Sequence, residues 1–155
     1  MKKTAADKKN KKDEFSCLEL KNQLCFPLYA CSKEIVRRYR PLLEPFDLTY
    51  TQYIVMMVLW QEHEINVKSL GEQLYLDSGT LTPLLKKLES KGYLRRERSE
   101  VDERNLIVHV TDAGMELRNE ICKVPAQLSG CVSLSLEEGQ ELYRLLYKIL
   151  DGFKE

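Results

Sequence analysis

The strongest constraint on this chain lies in residues 79–91, where Leu81, Leu84, Leu85 and Leu88 recur at helical spacing before Gly92 stops the helix. Two segments of the opposite periodicity follow directly. In residues 93–98 Leu94 alternates with charged neighbours, and in residues 105–110 Leu106, Val108 and Val110 alternate, with the charged stretch 99–104 joining the two as a hairpin. A helix with a leucine stripe abutting a hairpin with one apolar face requires further helices to cover both.

Those helices are legible on either side. Thr49 and Gln52 form a capping box that opens a helix to about Gln61, apolar nearly all round and therefore a core element. Asn66 can cap a third helix over residues 67–76, with Leu70 and Leu74 inward and Gly71 available for close packing. A turn at Asp77, Ser78 and Gly79 follows. Pro83 lacks an amide proton, so the first turn of the next helix is expected a residue or two after Gly79. Residues 15–44 carry apolar side chains at spacings of three and four, and Pro41 and Pro45 are expected to end that helix; Pro27 is expected to bend it or delay its start. Thr111 can cap a fifth helix to about Lys123, and Ser135 with Glu138 forms a second capping box opening a final helix to about Asp151. The expected order is ααααββαα. Residues 1–14 read as a disordered basic tail, 46–111 as the central domain, and 15–45 with 112–155 as flanking helical regions.

The longest uninterrupted apolar run, residues 54–60, is far too short to span a bilayer, and the Lys-rich start lacks a signal peptide's apolar stretch. A cytoplasmic location without membrane contact is the expectation. Formal net charge is zero at pH 7, but residues 1–12 hold six Lys against one Asp, so charge has to be read segment by segment. The cysteines Cys17, Cys25, Cys31, Cys122 and Cys131 form no CxxC pair and no regular framework, and His63 and His109 stand at no ligand spacing from them. Neither a disulfide scaffold nor a zinc site is expected, and no cofactor loop is present.

Two short helices joined by a tight turn, the second with small polar and basic residues outward, meet the requirement for insertion into the major groove of duplex DNA. Ser78, Thr80 and Thr82 can bond phosphates or base edges at the helix start, where the dipole favours phosphate, and Lys86 and Lys87 add charge. The hairpin contributes Arg95, Arg96, Arg98 and Arg104, and seven basic residues against five acidic ones lie between Lys86 and Arg104. Arg104 at a tip suits a narrow, electronegative minor groove, and Asp102 can hold its guanidinium in a fixed direction. A solvated charged hairpin would have the same composition.

The segment LGEQLYLDSGTLTPLLKKLESKGYLRRERSEVDERNLIVHVTDAG, residues 70–114, resembles the DNA-binding core of the MarR family. QLCFPLYA from Gln23, with RPLLEPFDLTYTQY from Arg40, further resembles the OhrR branch, repressors that sense organic hydroperoxides. The likeness covers most of residues 20–125 and fades toward the C-terminus. It implies a mainly α fold, a winged helix-turn-helix whose flanking helices form a dimerisation domain, and a DNA-binding repressor with no enzymatic role. In the family pattern the sensing thiol falls on Cys25, and the tyrosines that hydrogen-bond it fall on Tyr29, Tyr39 and Tyr50. Cys131 is the candidate resolving cysteine, the alternative being an external low-molecular-weight thiol. Cys17, Cys31 and Cys122 read as ordinary apolar helix residues of the commonly buried kind.

On one helix, Tyr29 and Tyr39 lie within about 40° of Cys25 around the axis, yet Tyr39 is roughly 21 Å away along it. A contact between Cys25 and Tyr39 therefore requires a second protomer's helix placed antiparallel. The apolar face of the last helix (Leu142, Leu145, Leu146 and Ile149) likewise exceeds what a small winged domain can cover, so a homodimer on a palindromic operator is expected. The chemistry the resemblance implies is attack of a thiolate on a hydroperoxide oxygen to give a sulfenic acid. Two rivals stand beside it: a regulator of the same type released by a small phenolic or aromatic ligand, and a thiol peroxidase, against which the basic hairpin argues.

Overall fold

The computed structural model describes residues 15–99, 105–129 and 133–153. In chain order the elements are α1 (Cys25–Leu43), α2 (Tyr50–Glu62), β1 (Glu64–Asn66), α3 (Val67–Leu74), α4 (Ser78–Ser90), β2 (Leu94–Arg98), β3 (Leu106–Val110), α5 (Asp112–Ile121), α6 (Val124–Ser129) and α7 (Leu136–Asp151). The fold is mainly helical with a small antiparallel sheet of order β1-β3-β2, in which Val108 pairs with Ile65 on one side and Arg96 on the other.

The core forms around α2, whose Tyr53, Val55, Met56, Leu59 and Trp60 are buried, as a helix apolar nearly all round must be. All four leucines of the α4 stripe are buried against it, together with Leu70 of α3 and Leu94 and Val108 of the sheet. Leu43, Leu117, Ile121 and Val124 close the core from α1, α5 and α6, so the flanking helices share one hydrophobic interior with the helix-turn-helix.

The caps form as the residue types require. Thr49 and Gln52 make the reciprocal box, as do Ser135 and Glu138; the Asn66 side chain accepts from the Lys68 amide and that of Thr111 from the Gly114 amide. Gly92, at φ 76°, ends α4: its amide donates to the Glu89 carbonyl at 2.9 Å and the Tyr93 amide to that of Leu88 at 3.1 Å, which turns the chain straight into β2.

Several expectations are corrected. Residues 15–24 do not belong to the first helix. They form 3-10 turns at Ser16–Leu18 and Leu20–Asn22, and α1 starts at Cys25, which places Pro27 in the first turn where a missing amide proton costs no bond. Pro27 thus delays the helix. Pro41 does not end α1, which runs through it to Leu43 and passes into a 3-10 turn at Glu44–Phe46 holding Pro45. Pro83 does not postpone α4; the helix starts at Ser78, and Pro83 forgoes only its own amide bond within it. Two elements were missing from the expected order. Strand β1 is too short to show alternation and exists because β3 offers it a pairing edge. Helix α6 follows a break at Cys122 and Lys123, with Pro125 in its first turn.

Candidate nucleic-acid interface and thiol site

The start of α4 is organised by Asp77, whose carboxylate accepts from both the amide and the hydroxyl of Thr80 at 2.9 Å. These bonds hold the Asp77 carboxyl below its ordinary range. The Thr82 hydroxyl donates to the Ser78 carbonyl at 2.7 Å. Ser78, Thr80 and Thr82 are all exposed, with the donor protons of both threonines committed inside the helix, so toward a ligand their oxygens are left mainly as acceptors. Lys86 and Lys87 are exposed on the side away from the leucine stripe.

The two arginines of β2 separate in role. Arg95 is exposed, 3.5 Å from Glu97. Arg96, grouped by sequence with the DNA-contacting cations, is instead turned onto α4: its Nε and Nη2 donate to Glu89 Oε2 at 3.0 and 2.5 Å, and its amide to Glu89 Oε1 at 3.0 Å. With its side chain only 18% exposed, Arg96 ties the wing to the reading helix. Glu89 was missed by sequence reasoning because it lies across a helix end from its partner, where no periodicity links them. Asp102 and Arg104 lie outside the described residues.

The guanidinium of Arg96 holds the Glu89 carboxyl below its ordinary value. A carboxyl depressed in the folded state contributes stability above its unfolded pKa and loses it as pH falls through the folded one. Glu89→Gln should therefore lower the Tm at neutral pH, and the gap to the parent should close as pH falls below about 4.3. Thermal melts across that range check it, and a gap independent of pH would show that the ion pair contributes nothing.

Cys25 is the first residue of α1 and is exposed, as is Tyr29 at 62%. The structure brings Tyr39 of α1 against Tyr50 of α2 with ring centroids 4.8 Å apart, and adds Tyr53 at 5.8 Å from Tyr39. Burial raises all three phenols above their ordinary value, with Tyr50 adding to the effect on Tyr39, so they remain protonated hydrogen-bond donors at neutral pH. Because α1 is one continuous helix, Cys25 stands roughly 21 Å along its axis from Tyr39. One protomer therefore does not bring the thiol to Tyr39 and Tyr50. Cys17, Cys31 and Cys122, expected to be buried, are exposed in the protomer; Cys122 donates to the Asn119 carbonyl at 3.2 Å. Cys131 lies outside the described residues.

A cleft of about 790 Å³ separates α1 from α4 and is lined among others by Arg37, Arg40, Tyr50, Gln52, Lys87 and Lys91. Lys91 spans it to reach Asp47, 2.8 Å from the carboxylate and also donating to the Asp47 carbonyl.

The family described as transcriptional regulator SarA/Rot matches residues 37–121. The chain is 42% identical over 139 residues to the organic hydroperoxide resistance transcriptional regulator of Bacillus subtilis (strain 168), covering 90% of this chain and 95% of that one. Among solved structures, reduced AbfR bound to DNA superposes with a TM-score of 0.74 at 36% identity, covering 88% of this chain and 96% of that one; AbfR is a protein of Staphylococcus epidermidis. The disulfide-formed state of AbfR superposes with a TM-score of 0.65 at 35% identity, covering 95% and 99%.

Proposed function

The chain belongs to the SarA/Rot, MarR-type family of winged-helix transcriptional regulators, and from that premise we propose that it is an OhrR-like repressor whose hold on a palindromic operator is released when an organic hydroperoxide oxidises Cys25. The family consists of regulators and not enzymes, so the oxidation is a stoichiometric signal. The observation that carries the reading is the split of the thiol constellation. Exposed Cys25 and Tyr39, whose ring packs against that of Tyr50, stand toward opposite ends of α1, on one side of it, and an antiparallel α1 from a second copy brings them together.

The apolar surface available to that second copy supports it. Helix α7 has no buried residue and exposes Leu136, Leu142, Leu145 and Ile149, while Leu18, Leu20, Leu24 and Phe26 are exposed near the start of α1. Residues 15–45 and 112–155 serve as the dimerising part and 46–111 as the reading head. Ser78, Thr80, Thr82, Lys86 and Lys87 enter the major groove, Arg95 adds charge on the wing, and Arg104 with Asp102 reads the minor groove. Among the described residues no helix is long and apolar enough to cross a membrane, and the cytoplasm is the proposed location.

Chemically, the Cys25 thiolate attacks the terminal peroxide oxygen: an S–O bond forms, the O–O bond breaks, and the alkoxide leaves as alcohol after taking up a proton. Sulfur is oxidised by two electrons and the peroxide reduced by two. The sulfenic acid then condenses with a thiol, releasing water and forming a disulfide. A disulfide-formed state is known for AbfR, and in this chain Cys131 is the proposed partner, with a low-molecular-weight thiol as the alternative. Tryptic mass spectrometry of peroxide-treated protein without reductant should find a Cys25–Cys131 cross-link; a mixed disulfide at Cys25 would assign the step to an external thiol.

The test of the function itself is operator binding by the untreated dimer and its loss after one equivalent of organic hydroperoxide. A protein that binds no DNA and turns over many equivalents of peroxide would be a peroxidase. The cleft between α1 and α4 favours one second reading, release by a small phenolic or aromatic ligand held there. That reading requires a response to ligand with every cysteine replaced.

A further inference from the structure

Resting on the redox reading above, we infer that Trp60 is the positioning residue that carries the state of the sensor tyrosines to the root of the wing. The path is physically continuous. Tyr39 comes from the sensor helix, and Tyr50 and Tyr53, against which its ring packs at a tilt, both stand on α2. Tyr53 in turn meets Trp60 edge-on, with centroids 6.2 Å apart. Between Tyr50 and Trp60, α2 is unbroken, a rod of roughly 15 Å at 1.5 Å per residue.

At its far end a side-chain bond fastens the rod to the start of α5, beside the bond from the Val110 amide to the His63 carbonyl. The buried indole Nε1 of Trp60 donates to the Gly114 carbonyl at 2.7 Å, across most of the central sequence. Gly114 sits where three elements meet. A side chain there would overlap the Tyr93 carbonyl, so the start of α5 lies directly on the junction between α4 and β2. Thr111 closes that junction, its amide donating to the Tyr93 carbonyl at 3.1 Å and its hydroxyl to that of Gly92 at 2.5 Å. A shift of the tyrosines that moves α2 therefore pulls, through Trp60, on the point where the reading helix ends and the wing begins. Packed interiors pass such shifts on because they are dense and poorly compressible.

Trp60 is the sole tryptophan of the chain, which makes the path observable. In the full-length protein one equivalent of organic hydroperoxide should shift Trp60 fluorescence in the parent and not in Cys25→Ser. Trp60→Phe keeps an aromatic ring and deletes the donor. It should bind operator in the reduced state within about threefold of the parent and lose less than about fivefold on oxidation, where the parent loses about 100-fold, the upper part of the usual range for coupled sites. Unchanged tryptophan emission in a parent that releases DNA, or equal release by parent and Trp60→Phe, would overturn the inference. A parent that keeps its operator after oxidation would instead overturn the redox reading on which it rests.

Discussion

Cys25→Ser is expected to bind operator as tightly as the parent and to stay bound in organic hydroperoxide, whereas the parent's affinity falls by about 100-fold. Serine keeps the size of the side chain at the exposed first position of α1, so fold and dimer contacts are preserved. What is lost is the nucleophile, since an alcohol is not ionised at neutral pH and does not attack a peroxide. Cys17, Cys31 and Cys122 are also exposed, so accessibility alone does not single out Cys25. Each of those three replaced by serine should release operator normally. Electrophoretic mobility shifts with and without one equivalent of hydroperoxide compare all four variants, and release of Cys25→Ser at the parent's dose would remove Cys25 from the mechanism.

A second large effect is expected at Gly114. A Cβ there would overlap the Tyr93 carbonyl oxygen and stand 2.8 Å from Val110 Cγ2, and the carbonyl is backbone held by the Thr111 amide. Nothing nearby is the free end of a flexible chain, so α5 must lift off the junction of α4 and β2. Gly114→Ala should cost roughly 3 kcal/mol or more. For a chain of this length that corresponds to a Tm lower by roughly 6–12 °C. Operator affinity should fall with it, because the displaced junction sets the angle between the reading helix and the wing. Equal melting temperatures for parent and Gly114→Ala would show that the junction is loose.

Much of the fold is legible because its signals are local. The leucine stripe of α4, the box at Thr49 and Gln52, the caps at Asn66, Thr111 and Ser135 and the stop at Gly92 are each set within one or two helical turns, and each forms as read. The prolines were harder. A proline in the first turn, one in mid-helix and one in a 3-10 turn are the same residue, and whether the lost amide bond is tolerated depends on what packs around it. Pro27 delays α1, while Pro41 and Pro83 lie inside helices held by buried Leu43 and by the α4 leucines. Strand β1 and helix α6 escaped for a related reason: both are too short to carry a period and owe their form to β3 and to α1.

The candidate site divides in the same way. The cationic and hydroxyl character of the region from Ser78 to Arg98, and the placement of Cys25 and Tyr39 on one face of one helix, follow from residue order and helical geometry, and the sequence by itself determined them. Which of those groups are engaged is a tertiary outcome. Arg96 turns inward because Glu89 waits across a helix end, the threonine hydroxyls spend their protons on Asp77 and Ser78, and Tyr39 finds Tyr50 and Tyr53 because α1 crosses α2 there. The bond from Trp60 to Gly114 joins residues more than fifty positions apart and has no trace in composition or spacing. The physical reason is one of range. Periodicity and capping are decided by backbone torsions over a few residues, whereas an ion pair or hydrogen bond across elements depends on where the packed core has set both partners.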